Sequence, residues 1–137
     1  MGITREEITL TNEGDLAAAA RGYITKKEAR SVTVTAIADT GALRLVMPES
    51  LRKKLGLEIL KTAPAALADG EKLEIGLTEG VEVRWKDRII TCDAWIVPND
   101  CSVLLGAIPM EGLDVMGDPV NQRLVGVHGE KPLGILC

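Results

Sequence analysis

Phenylalanine is absent from this chain, and its only rings are Trp85, Trp95 and Tyr23. So few aromatics cannot build a stacking surface for single-stranded nucleic acid, and the core has to be aliphatic. Histidine occurs once, at His128. Cysteine occurs three times, at Cys92, Cys101 and Cys137, with no CxxC pair. A zinc site therefore lacks ligands at usable spacing, and no metal or cofactor is expected. The same shortage removes the base from most Ser-His or Cys-His nucleophile systems. A basic stripe is missing too: 16 Lys and Arg stand against 20 Asp and Glu, for a formal charge of −4. Nucleic acid and anionic membrane are poor partners for such a surface. No apolar run approaches the ~18 residues of a membrane span. The opening "MGITREEITL" has no apolar h-region, so no secretory signal is expected. An odd cysteine count without such a signal suits reduced thiols and a cytoplasmic location.

What is present is a 137-residue chain, 46% apolar, which fits one domain over residues 1–137 with its own core. "EITL" (Glu7–Leu10) reads as a first strand. "NEGDLAAAARG" (Asn12–Gly22) reads as a short helix closed by glycine. "TKKE" (Thr25–Glu28) matches a capping box. From Val32 the period becomes two, with Val32, Val34, Ala36 and Ala38 on one face and Thr33, Thr35 and Asp39 on the other. Gly41 interrupts that strand. Pro48 fits a first helical position, Leu51 and Leu55 lie one turn apart, and Gly56 ends the turn. "LRKK" (Leu51–Lys54) gives this helix its wet side. Asp69-Gly70 then sits between two extended stretches as a hairpin turn. "VEVRW" alternates, "KDR" reverses the chain, and Ile90, Cys92, Ala94 and Ile96 form the inward face of "IITCDAWIV". After a loop at Pro98-Asn99-Asp100, "SVLLG" (Ser102–Gly106) reads as a short buried strand. "IPMEGLDV" can start a helix at Pro109, and "GDPVNQRLV" is a turn followed by a last strand. Many short strands with Gly and Pro turns suggest a closed or sandwiched β fold carrying one or two short helices.

Paired carboxylates are the one catalytic device this composition supports well. Two aspartates in contact share a proton, so one can take a proton from water while the other gives one to a carbonyl oxygen. One chain offers one such acid at a strand end, Asp39, followed by Thr40, whose hydroxyl can lock the loop, and Gly41, whose missing Cβ admits another backbone. In a symmetric dimer one acid per chain is enough.

"IADTGA" (Ile37–Ala42) resembles the active-site motif of the retropepsin-like aspartic proteases. "VLLG" (Val103–Gly106) is similar to the second, hydrophobic-hydrophobic-Gly motif of that family, and the Asp69-Gly70 hairpin falls where the family places its flap. "LLGAIPMEGLDVMGDPVNQRLV" and the N-terminal "LTNEGD…ARGYI" look like the bacterial and archaeal branch. The resemblance covers about Thr9 to Val125, with the ends peripheral. It implies a mainly β fold, a retropepsin-like closed β-barrel with one or two short helices, assembled as a homodimer. It implies an aspartic endopeptidase acting on peptide or protein substrate through an Asp39 dyad. Thr40 would hold the two active-site loops together, and Gly41 and Ala42 would lie beside the bound peptide. Leu67, Ala68, Asp69, Gly70 and Glu71 would form the flap tip. Two positions depart from the retroviral pattern: Leu43 stands where an acidic residue is common, and Ala107 where Arg is frequent.

Bland readings stand beside these. Asp39 can be a hydrogen-bonded turn, and the same fold can serve as a non-catalytic dimeric peptide-binding or scaffold domain. A plain monomeric β domain is a third reading. Asp87, Asp93, Asp100, Asp114 and Asp118 read as turn and surface groups, Cys92 as core, Cys137 as a terminal thiol, and His128 as a solvated loop imidazole.

Overall fold

Alternation over Arg5–Asn12 (β1) and Ser31–Ala38 (β2) produces two antiparallel strands in register, with Ile8 opposite Val34 and Leu10 opposite Val32. The structure is a computed structural model that describes residues 3–66, 69–98 and 101–129. Between these strands Glu13–Ala20 forms α1, capped by the Asn12 side chain, which accepts from the Asp15 amide at 3.0 Å. Gly22, at φ +82°, closes it: its amide reaches Ala19 O and that of Tyr23 reaches Ala18 O. Thr25 and Glu28 bond reciprocally around a single 3-10 turn, Lys26–Glu28, as the capping-box spacing predicts.

Past the motif the chain gives β3 (Leu45–Pro48) and α2 (Glu49–Leu55). Pro48 is the residue before the first helical turn rather than the first within it; its ψ of 157° is still extended. Leu51 and Leu55 face the core, and Gly56 ends α2 in the left-handed region. The Asp69-Gly70 hairpin joins β4 (Ile59–Ala66) to β5 (Lys72–Thr78). Lys86-Asp87 joins β6 (Val81–Trp85) to β7 (Arg88–Cys92). "IITCDAWIV" is two strands, not one. It breaks at Asp93, and β8 (Ala94–Val97) crosses to another part of the sheet, beside β5 and β3. Asn99 and Asp100 of the expected loop lie outside the described residues, as does Cys137.

The short apolar strand β9 (Val103–Leu105) inserts between β2 and β3. It runs parallel to β2 (Ala36 opposite Val103) and antiparallel to β3 (Leu45 opposite Leu105). The helix α3 (Ala107–Leu113) follows directly and begins two residues before the expected Pro109. Gly112, a poor helix former, is there for packing: a Cβ would collide with the Ile90 side chain of β7. A separate two-stranded sheet, β10 (Val115–Asp118) with β11 (Arg123–Gly126), closes the described chain.

The main sheet therefore has the order β4-β5-β8-β3-β9-β2-β1-β6-β7. Among the described residues β4 and β7 remain its edges, and no pairing closes it. One aliphatic cluster runs from Ile8 and Leu10 through Leu45, Met47, Leu55 and Leu105 to Leu113 and Leu124. It joins β1, β3, β9, α2 and α3 around one interior. The fold is mainly β, with three short α-helices among the described residues, one more than the upper expectation. None of these helices is long and apolar enough to cross a membrane.

Candidate active site

Asp39 follows the last residue of β2, and its amide extends the parallel ladder by donating to Leu105 O at 3.0 Å. The chain then turns at once. The Gly41 amide donates to Asp39 Oδ1 at 2.8 Å, and the Ala42 amide to Asp39 O at 3.1 Å. The side-chain bond fixes the direction of the carboxylate; the backbone bond fixes the loop. Asp39, Thr40 and Gly41 are all exposed. The Thr40 hydroxyl has no hydrogen-bond partner among the described residues. Beside it lies a recess lined by Thr4, Ala38, Thr40, Met110, Gly117 and Pro119.

A second loop locks the first. The Ala107 amide donates to Ala42 O and the Ile108 amide to Leu43 O, each at 2.9 Å, so the first turn of α3 holds residues 42–43. Gly106 makes this approach possible, because a Cβ there would collide with the carbonyl oxygens of Ala42 and Arg44. The glycine of the LLG motif is thus required by the aspartate loop that packs on it. On the other flank Arg44 Nη1 donates to Asp93 Oδ1 at 2.7 Å, with its guanidinium 5.9 Å from the Trp95 ring. Asp93 is therefore the partner that braces the motif loop as well as the residue where the strand breaks. Its interruption of the apolar alternation in "IITCDAWIV" was the available signal.

The other expected substrate contacts sit elsewhere. Asp69, Gly70 and Glu71 form the tip of the β4-β5 hairpin, where Gly70 takes φ +87° and Asp69 Oδ1 accepts the Glu71 amide at 2.9 Å. In sheet order β8, β3 and β9 stand between that hairpin and β2. Leu67 and Ala68 lie outside the described residues.

Three polar groups away from the motif were not foreseen. Arg88 is 2% exposed; Nη1 donates to Leu113 O at 3.1 Å and Asp114 O at 2.7 Å, and Nη2 donates to Gly129 O. Asp114 ends α3 at φ +58°. Its carboxylate pairs with His128 Nδ1 at 2.7 Å, so this imidazole is exposed but not free, and Asp114 is no mere surface group. Asp118 does cap its own turn, through the Val120 and Asn121 amides. Cys92 packs against the core, and burial, with the Asp93 charge second, pushes its thiol up to about 12. No group of three or more His, Cys, Asp or Glu among the described residues could hold a metal ion.

The site is thus an acid fixed at the open end of a strand, on two loops that lock each other, with one such acid in the motif of each chain. A family model described as "Aspartyl protease" matches residues 25–130, and the chain belongs to that family. Among solved structures it is similar to the EIAV protease complexed with the inhibitor HBY-793. The identity is 19% and the TM-score 0.48, over 59% of this chain and 77% of that one. No curated protein matches it.

Proposed function

We propose that the chain is one half of a homodimeric aspartic endopeptidase, in which Asp39 meets Asp39 of a second copy at a two-fold axis and the pair shares a water. The observation that supports this best is the setting of Asp39 in a chain of the aspartyl protease family. The carboxylate is exposed at a strand end, aimed by the Gly41 amide and seated on a loop that α3 holds. One carboxylate cannot be proton acceptor and donor at once. Two in contact hold a single proton between them. The ionised member takes a proton from water as the water oxygen attacks the peptide carbonyl carbon, and the protonated member gives its proton to the carbonyl oxygen. The tetrahedral adduct then collapses: the carboxyl that took the water proton gives it to the nitrogen as the C–N bond breaks, the other carboxylate takes a proton from an adduct hydroxyl, and the nitrogen leaves as a new amino terminus. The other product is a new carboxyl terminus. The scheme uses no metal or cofactor.

In this reading the unpartnered Thr40 hydroxyl bonds across the dimer, and Gly41 and Ala42 flank the peptide backbone. The β4-β5 tip at Asp69, Gly70 and Glu71 folds over the substrate as a flap and keeps water out. The sheet curls into a barrel around the one core, over a single domain of residues 1–137. The Cys92 thiol, which forms no disulfide, suits a reducing, cytoplasmic setting.

Asp39→Asn tests it. The variant should keep the circular-dichroism spectrum and sedimentation of the wild type, yet release no products from a peptide library. Cleavage by the variant at the wild-type rate would remove Asp39 from the chemistry. Wild-type cleavage should also fade at alkaline pH, where the shared proton is lost.

A further inference from the structure

Five of the ten large apolar side chains that the described residues leave in water lie around the motif. Ile3 is 51% exposed, Leu43 52%, Ile108 40%, Met116 54% and Val120 86%. Each lies next to the Thr40 recess or on the locked loops. Ile3 precedes Thr4, Met116 precedes Gly117 and Val120 follows Pro119, all three of those neighbours lining the recess with Thr40. Leu43 and Ile108 are joined directly, amide to carbonyl, at 2.9 Å. Folded monomers seldom keep such patches without a use for them.

Three of the charged groups nearby are engaged inside the chain, while Arg5, after Thr4, and Glu111, on α3, are exposed and form no ion pair among the described residues. Arg44 is paired with Asp93, Asp118 caps its own turn, and a Glu6 carboxylate oxygen accepts the Leu124 amide at 3.1 Å. The position after Gly106 is Ala107, and two places after Gly41 stands Leu43, so neither locked loop offers an ion at its contact with the other. We propose that this apolar rim, Ile3, Leu43, Ile108, Met116 and Val120, is the face on which a second copy of the chain docks, and that burial of these side chains, not ion pairing, holds the pair together. The inference rests on the half-site reading, since a site with one acid is incomplete without a second copy. It adds which surface joins the copies and by what force.

The force has a measurable sign. Each copy carries a formal charge of −4, so two copies repel weakly, and added salt screens that repulsion. An apolar dimer should hold its dissociation constant or tighten between about 0.05 M and about 1 M NaCl, whereas an ionic brace would loosen. Sedimentation velocity on the full chain reads this directly. Leu43→Glu and Ile108→Glu, made singly, should each raise the dissociation constant by about tenfold or more, because each places a charge in a desolvated contact. Tyr23→Glu, at an exposed site after α1, should leave it unchanged. Circular dichroism and denaturant midpoints check folding. If either Glu variant fails to fold, Leu43→Ala and Ile108→Ala replace it, with an increase of a few fold expected.

An unmoved dissociation constant in folded rim variants overturns the proposal, and so does a dimer that weakens with salt. Peptide cleavage, measured alongside, separates the two readings. Asp39-dependent cleavage with an unmoved constant leaves the protease standing and discards this face. A dimer broken by the rim variants but inactive toward every peptide keeps the face and discards the protease. A wild type that stays monomeric at all concentrations discards the face, whatever it cleaves.

Discussion

At the scale of single residues, the motif loop depends on what is missing from Gly106. Gly106→Ala would drive a methyl into the carbonyl oxygens of Ala42 and Arg44, which are backbone atoms and cannot swing aside. We expect a loss of about 3 kcal/mol in denaturant unfolding, the upper end for overpacking, and no peptide cleavage, since the Asp39 turn must shift. Retention of wild-type stability would show that the loops do not lock as described. Cys92 offers an independent check on the interior. With its thiol raised to about 12 by burial and then by the Asp93 charge, the thiolate at pH 8 is roughly one part in ten thousand. Native protein should therefore be alkylated at Cys92 orders of magnitude more slowly than protein in urea. Mass spectrometry after timed iodoacetamide treatment reads this; equal rates in the two states would mean that the β7 face is open to solvent.

At the scale of elements, the strongest surface clamp joins α1 to the start of β2. Asp15 receives the Arg30 guanidinium through both oxygens, at 2.8 and 2.9 Å, and the Arg30 amide at 2.9 Å. The Arg30 side-chain bond, the largest cause, holds the Asp15 carboxyl below its ordinary value of 3.8. A carboxyl depressed in the folded state stabilises the fold above its unfolded value, and that stability is lost as pH falls through the folded one. Asp15→Asn should thus lower stability at pH 7 by under about 1 kcal/mol, because the Arg30 side chain is half exposed and solvent screens the pair. The two stability curves should merge on the acid side, below the usual carboxylate range; a gap that persists there would assign the effect to packing instead. Arg88 is the interior counterpart. It ties β7 to the end of α3 and to Gly129 through carbonyl oxygens, with the Asp114 carboxylate 3.8 Å from Nη1 as its charge partner. Arg88→Met should cost about 3 kcal/mol, measured by urea unfolding, because buried carbonyls lose their donor. These two clamps also mark the limit of what the sequence discloses. The β2 alternation, the Asp69-Gly70 turn, the glycine ends of α1 and α2, and the DTG and LLG motifs were legible because each signal is local. Arg88, His128 and the Arg44–Asp93 pair were not, because their partners lie many residues away and only the folded chain brings them together. The place of Gly112 in the third helix was hidden for a related reason: glycine is a poor helix former, and only the fold shows that Ile90 needs the space.

For the whole molecule, the decisive property is that activity should belong to pairs. A chain with one motif acid, exposed on its own surface, predicts that specific activity climbs with protein concentration until dimers saturate. A sharper consequence follows from mixing subunits. If Asp39→Asn copies dock as well as wild-type copies, they recruit wild-type chains into pairs with one acid, which cannot both accept and donate the proton. At a fixed amount of wild type, adding an equal amount of the variant should cut cleavage to about half, and a threefold excess to about a quarter, as random pairing in a two-fold dimer requires. The Ile108→Glu variant, barred from the rim, should poison the mixture far less even when it also carries Asp39→Asn. Cleavage that stays constant as Asp39→Asn protein is added, at concentrations where sedimentation shows mixed dimers, would mean that each chain acts alone. The lone carboxylate at the end of β2 would then have to find its second proton carrier within its own fold.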